Sequence, residues 1–82
     1  MKKVSSTEAI RRGFSILGSV SRAPMSSRDI FQRLYDEGFS VSIRTIERDL
    51  SRLLDIFPSL IEVDDRSKPF TYRQPINARK YS

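Results

Sequence analysis

The most informative part of the chain reads Val41-Ser42-Ile43-Arg44-Thr45-Ile46-Glu47-Arg48-Asp49-Leu50-Ser51-Arg52-Leu53. At about 100° per residue, the apolar side chains of this region fall on one face, which is typical of a helix packed against a core. These apolar residues are Ile46, Leu50, Leu53, Leu54 and Phe57. Arg44, Arg48 and Arg52 recur every four residues on the opposite face. The pattern predicts an amphipathic helix over residues 43–57, with Ser42 as its N-cap.

A first helix is predicted over residues 7–21. Ser5 and Glu8 have the spacing of a capping box, in which each side chain satisfies the other's exposed backbone donor. Apolar residues follow at helical intervals and should form the buried face. The main positions on this face are Ile10, Phe14, Ile16, Leu17 and Val20. Pro24 prevents the helix from continuing further, because a proline lacks the backbone donor and clashes with the preceding turn.

A second helix is predicted to begin at Ser26, with Asp29 close to its positive terminus. Its expected buried residues are Ile30, Phe31, Leu34 and Tyr35. Gly38 is placed to supply the left-handed residue that ends the helix. Only three residues then separate Gly38 from the next N-cap, Ser42. Two short helices joined by a tight turn that contains glycine are the signature of a helix-turn-helix.

A β-hairpin is predicted after the third helix, because two short β-rich runs flank the turn-rich residues 64–69. The predicted fold is therefore mainly α with a small β-hairpin, a winged helix-turn-helix made of a three-helix bundle and a two-stranded wing. Residues 1–73 are expected to form this domain and residues 74–82 a basic tail or linker. The aromatic residues expected in the core are Phe31, Tyr35, Phe39, Phe70 and Tyr72.

Composition argues against an enzyme. The 82 residues include no cysteine and no histidine, which removes thiolate chemistry, the commonest metal ligand and the commonest general base. We therefore expect no catalytic site, no metal and no cofactor. The sequence contains no run of about 18 apolar residues, the length that a membrane span requires. A cytoplasmic location, at the nucleoid, is therefore expected. The net charge is +5, and the residues from Arg66 onward include five basic and no acidic side chains. Such an excess favours a polyanionic partner.

Duplex DNA is the partner that this arrangement predicts, because the second helix of a helix-turn-helix enters the major groove. Guanidinium groups match both phosphate oxygens and the acceptor pair of guanine. We expect base or near-base contacts from Arg44 and Arg48, a phosphate or thymine-methyl contact from Thr45, and a phosphate or internal partner for Arg52. The further candidates are Ser42, Ser26, Ser27 and Arg28 at helix starts, Arg66 and Lys68 at the hairpin tip, and more weakly Arg11 and Arg12. Acidic neighbours, Glu47, Asp49 and Asp55, should partly offset the repulsion among the arginines.

The same residues resemble a known family. The run from Val41 to Leu53 is similar to the Val-Ser-x-Arg-Thr-Ile-x-Arg-Asp-Leu-x-x-Leu recognition segment of DeoR-like and WYL-domain bacterial transcription regulators. The likeness extends back through residues 24–30, which resemble the usual lead into the second helix of that family. It extends forward through Phe57-Pro58 and residues 65–70, which are similar to the wing of WYL regulators found beside phage-defence genes. It implies a transcription regulator, expected to act as a repressor, with Arg44, Thr45 and Arg48 on DNA. It also implies that Asp49 is a structural partner for a neighbouring helix.

Regulators of that family continue into a ligand-binding or dimerising domain that this sequence lacks, so the chain is either an excised N-terminal domain or a stand-alone reader. Two other functions stay open: a winged-helix module that binds an acidic protein, and an RNA binder, which should present an aromatic platform. Since one module covers few base pairs, we expect a monomer or weak homodimer that pairs on an inverted-repeat operator. The expected self-association residues are Ile16 and Val20 on the first helix and Ile76 and Tyr81 in the tail.

Overall fold

Three helices and three short strands make up residues 3–75, the part of the chain that the computed structural model describes, with side chains from residue 7 onward. The helices are α1 (Lys3–Val20), α2 (Ser27–Asp36) and α3 (Ile43–Ile56). The strands are β1 (Met25–Ser26), β2 (Glu62–Asp64) and β3 (Thr71–Arg73), and they form an antiparallel sheet in the order β1-β3-β2. The fold is mainly helical with a small antiparallel sheet. Residues 76–82, most of the expected tail, lie outside the described residues.

The helix starts and stops follow local sequence signals, with one exception. Ser26 caps α2: its hydroxyl accepts a hydrogen bond from the Asp29 N–H at 3.1 Å, and the Asp29 carboxylate accepts one from the Ser26 N–H at 3.3 Å. Gly38 has a φ of 100°, which lets the Phe39 N–H donate to the Leu34 carbonyl at 2.9 Å and close the helix. Both predictions are confirmed.

The exception is the start of α1. The helix begins at Lys3, so the predicted capping box at Ser5 is wrong, because Ser5 already lies inside the helix. Serine costs only a few tenths of a kcal/mol in a helix interior, so the spacing of Ser5 and Glu8 does not oblige the helix to begin there. The other end lies within one residue of the prediction, at Val20. The predicted third helix also ends one residue early, and Phe57 becomes its C-cap.

The core lies between the three helices and the start of the sheet. Its fully or nearly fully buried apolar residues are Ile16, Val20, Ile30, Leu34, Phe39, Ile46, Leu50, Leu53 and Ile61. The side chains of Leu17, Phe31, Leu54 and Tyr72 are partly buried against this cluster. Each helix therefore contributes the face that its apolar periodicity predicts, although the faces are narrower than expected.

The first helix shows the difference most clearly. Ile10 and Phe14 were expected in the core but are 60 % and 74 % exposed. Ile16 and Val20 were expected to be available for self-association but are buried, so that prediction is wrong. The physical reason is that the apolar arc of α1 is wider than the strip that α2 and α3 cover. The buried strip follows Arg12, Ile16 and Val20 at four-residue intervals, which leaves Ile10 and Phe14 on the uncovered side of the arc.

Three aromatic residues that were expected in the core are also accessible. Tyr35 is 63 % exposed and stacks beside Phe31, with ring centroids 6.4 Å apart. Phe57 follows the last turn of α3, and Phe70 precedes β3; each is 41 % exposed. Both lie just outside a regular element, so the periodicity of the neighbouring helix or strand does not place either side chain in the core.

The sheet has one more strand than the predicted two-stranded wing. In β1, Met25 pairs with Tyr72 and Ser26 pairs with Thr71, so the strand before α2 attaches directly to the hairpin. The hairpin register places Val63 opposite Tyr72. A two-residue strand carries no periodicity, and for that reason the sequence pattern did not indicate it. Its effect is to fix the hairpin beside the start of α2.

A buried ion pair joins α1 to α3. The Arg12 Nε donates to Asp49 Oδ2 at 2.6 Å and its Nη2 donates to Oδ1 at 3.3 Å, with side chains only 11 % and 8 % exposed. The hydrogen bond to Asp49 raises the pKa of Arg12. The expected structural role of Asp49 is confirmed. The Arg12 guanidinium is therefore not available to phosphates. Asp49 does not offset the positive charge of the α3 arginines, because its carboxylate is directed towards α1 and away from the exposed face.

Replacing Asp49 by Ala should destabilise the fold by about 3–5 kcal/mol, since it leaves the Arg12 guanidinium buried without a counter-charge. The double variant Arg12→Leu with Asp49→Leu should recover most of that loss, because no buried charge remains. Urea unfolding followed by circular dichroism measures both changes. A single Asp49→Ala variant as stable as the wild type would show that the pair has no structural importance.

Candidate nucleic-acid interface

The start of α3 presents polar groups to solvent. Ser42 caps the helix, and its hydroxyl accepts a hydrogen bond from the Thr45 N–H at 3.2 Å. The hydroxyls of the two residues lie 3.3 Å apart. Ser42 and Arg44 are exposed and Thr45 is half-buried. Helix N-termini favour anions because their backbone donors and dipole point outward, so this end of α3 is suited to a phosphate.

The described arginines fall into two sets according to whether a carboxylate lies within 4 Å. The paired set is Arg11 with Glu8, Arg12 with Asp49, Arg33 with Glu37, Arg66 with Asp64, and Arg73 with Glu62 and Asp64. The arginines without such a partner among residues 7–75 are Arg22, Arg28, Arg44, Arg48 and Arg52. All three arginines of α3 thus belong to the second set, and all three are exposed.

The acidic residues of α3 do not neutralise this row. Asp49 is buried against Arg12. Glu47 lies near the sheet, where its charge, together with the larger effect of burial, raises the pKa of Tyr72. Asp55 is exposed but forms no ion pair with the described residues. The exposed face from Arg44 to Arg52 therefore carries three guanidinium groups over about 12 Å of helix.

The start of α2 gives a mixed result for its three candidates. Ser26 is 7 % exposed and its hydroxyl is occupied by the helix cap, so it is poorly placed to contact a phosphate. Ser27 is half-buried, and Arg28 is exposed and without a carboxylate partner among the described residues. Arg22, in the turn before β1, is likewise exposed and without a carboxylate partner among the described residues. Its isolation from any helix or motif explains why the sequence did not single it out.

The two candidates on the hairpin, Arg66 and Lys68, differ in whether a carboxylate already binds them. Arg66 is bound to Asp64 through Nε at 2.9 Å and Nη2 at 2.8 Å, and its N–H donates to the same carboxylate at 3.2 Å. Lys68 is exposed and forms no ion pair with the described residues. Of the two candidates at the tip, only Lys68 has no ion pair with the described residues, because Asp64 at the end of the preceding strand supplies a counter-charge for Arg66.

Arg52 differs from the other two arginines of α3. It borders an apolar groove of about 430 Å³ between α1 and the C-terminal half of α3, whereas Arg44 and Arg48 do not line this groove. The groove contains the exposed side chains of Ile10, Phe14 and Ile56. Sequence reasoning missed it because each of those residues was assigned to the core or left unassigned.

Over residues 3–75, no helix has the length and apolar character needed to cross a membrane, and no cluster of acidic side chains could hold a metal ion. Comparison of the chain with known protein families, characterised proteins and solved structures gives no match. The resemblance of residues 41–53 to DeoR-like and WYL-domain regulators therefore stays a prediction from the sequence.

The ion pair in the hairpin leads to a pH-dependent prediction. Side-chain and backbone hydrogen bonds from Arg66 hold the pKa of the Asp64 carboxyl well below its ordinary value of 3.8. The pair therefore stabilises the hairpin at neutral pH, and this contribution is lost as the pH falls through the lowered pKa.

Replacing Arg66 by Ala should raise the pKa of Asp64 towards 3.8 but not fully, because Arg73 still lies 3.6 Å away. Carboxyl chemical shifts followed by NMR titration measure the change. Lys68→Ala is the matched control and should leave the Asp64 titration unchanged. An unaltered Asp64 midpoint in the Arg66→Ala protein would contradict the pairing.

Proposed function

We propose that the chain is a winged helix-turn-helix protein that binds duplex DNA with sequence preference and acts as a transcription repressor. In this proposal α2 and α3 form the helix-turn-helix, and α3 enters the major groove. The β2–β3 hairpin is the wing. The closed turn at Gly38 and the N-cap of α3 at Ser42 support this assignment, because they fix the end of α2 and the start of α3 on either side of a short connection.

The observation that carries the proposal is the row of arginines on α3. Surface arginines elsewhere in the described chain are mostly held by carboxylates, but Arg44, Arg48 and Arg52 are not. Three like charges at four-residue intervals repel one another, at a cost of a few tenths of a kcal/mol for each pair. A phosphate backbone would relieve that repulsion, and guanidinium forks can also read the acceptor edge of guanine.

The three arginines are not equivalent. Arg44 and Arg48 lie in the N-terminal half of α3, the part that reaches base edges in helix-turn-helix complexes. Thr45, between them, offers a hydroxyl and a methyl group. Arg52 lies further along, next to the apolar groove. We therefore assign sequence recognition to Arg44, Thr45 and Arg48, and at most a backbone phosphate to Arg52.

Replacing Arg48 by Ala should weaken binding to the preferred duplex by about 1–3 kcal/mol and reduce its margin over random DNA. The preferred duplex is obtained first by selection from random oligonucleotides with the wild-type protein. Arg33→Ala is the matched control: it removes the same charge from α2, where the guanidinium lies 3.9 Å from Glu37. Equal losses in the two variants, on specific and random duplexes alike, would show that Arg48 contributes charge only.

Salt dependence separates DNA from the alternative partners. The logarithm of the affinity for duplex DNA should fall linearly with the logarithm of salt concentration, by about 0.9 for each phosphate neutralised. An acidic protein partner has no such condensed counterion layer. A chain that fails to bind any duplex between low and physiological salt, or that prefers RNA of the same sequence, would overturn the proposal.

The hairpin should contribute affinity without sequence preference. Replacing Lys68 by Ala is expected to weaken all duplexes about equally and to flatten the salt slope by about one unit. Arg66→Ala should flatten it by less, because Asp64 already neutralises that guanidinium. Fluorescence anisotropy at several salt concentrations measures both slopes. A changed base preference in the Lys68→Ala protein would show instead that the wing reads sequence.

A further inference from the structure

An exposed apolar patch lies on α1 and beside the end of α3. Its exposed members are Ile10, Phe14, Ile56, Phe57 and Leu60, which are 41–74 % accessible. A large apolar side chain presents on the order of 200 Å² when fully exposed, so together they expose on the order of 500 Å². This lies in the upper half of the range for the largest apolar patch on a monomer, about 300–600 Å², and such patches are often functional.

The shape of the patch is that of a ridge beside a groove. Ile10 and Phe14 are four residues apart and stand out from α1. Next to them, the small residues Ala9 and Gly13 are also four residues apart and line the groove. Ridges and grooves at this spacing are the elements of the commonest helix-to-helix packing, in which the ridge of each helix enters the groove of the other.

We propose that this patch is the contact between two copies of the chain, which pair through α1 about a two-fold axis. A two-fold contact requires both complementary shapes on the same surface of each copy. The ridge at Ile10 and Phe14 and the groove at Ala9 and Gly13 meet that requirement. The lining of the groove is apolar except for Asp49, whose carboxylate is already bound by Arg12, and Arg52 at its edge, so it offers few polar groups by which a foreign protein could be selected.

The area of the patch also fits a second copy. Two facing patches of on the order of 500 Å² bury about 1,000 Å² in total, at the lower limit for a specific interface. We therefore expect a weak dimer, with a dissociation constant of about 10–1000 µM. The patch replaces Ile16 and Val20 as the self-association surface, since both of those side chains are buried.

Such a dimer leaves the proposed recognition residues accessible. Ile56 lies twelve residues after Arg44, which corresponds to about 18 Å along α3. Only Arg52, at the edge of the groove, lies near both surfaces. The dimer does not depend on the proposed DNA function, because the contact is formed by apolar side chains of the protein alone.

The main test is sedimentation equilibrium of the full chain from 10 µM to 1 mM, without DNA. The wild type should show a monomer–dimer equilibrium, and Phe14→Glu should raise its dissociation constant at least tenfold. Tyr35→Glu is the matched control, because it places the same charge on an aromatic position of α2 that is 63 % exposed, against 74 % for Phe14. A wild type that stays monomeric at 1 mM, or a Tyr35→Glu variant as impaired as Phe14→Glu, would overturn the proposal.

A second variant separates the contact from folding. A Cβ added at Gly13 would lie 3.8 Å from Leu53 Cδ2, an ordinary contact, so Gly13→Ala fits the monomer. It should raise Tm, because alanine favours a helix more than glycine does, yet it should raise the dimer dissociation constant several-fold by narrowing the groove. A tighter dimer in this variant would contradict the ridge-and-groove packing. Failure of the wild type to bind DNA, by contrast, would leave these results unaffected.

Discussion

The buried ion pair between Arg12 and Asp49 is the constraint on which the arrangement of the helices depends. It is the one place where charge enters the core of the described chain, and both partners are more than four-fifths shielded from solvent. Because an unpaired charge in that position costs several kcal/mol, the pair disfavours any register of α1 on α3 that would separate the two side chains. The register that keeps them paired sets which face of α3 is covered. The uncovered face is the one that carries Arg44 and Arg48.

The local features of the fold were predictable from the sequence, because each depends on neighbours a few residues away. Ser26, Ser42 and Gly38 act through hydrogen bonds and backbone angles within one helical turn. Apart from the start of α1, the features that the sequence did not predict are non-local. The strand β1 exists only because Tyr72 and Thr71 lie beside it, and the exposure of Phe14 depends on how far α3 extends across α1.

The candidate interface also combines a feature that the sequence predicts from local spacing with features that it does not. The arginine row on α3 follows from four-residue spacing alone, and so its position on an exposed helix face was predictable. Whether each guanidinium is already held by a carboxylate does not follow from that spacing, and for Arg12 and Arg73 the partner lies on another element of the fold. Asp49 is directed inward by its pairing with Arg12, and Asp64, the last residue of β2, binds Arg66 two residues further along the chain. Charge counting along the chain treats these residues as equivalent, whereas the structure separates them into paired and accessible groups.

Ser26 has two structural roles at once, with a consequence for how the molecule would meet a partner. It is the last residue of β1, paired with Thr71 of the hairpin, and it is the N-cap of α2. The hairpin therefore cannot swing without disturbing the first turn of α2. The position of the hairpin is thereby coupled to that of the helix pair before any encounter. Less ordering entropy is then lost on association than for a hairpin attached only to the end of α3.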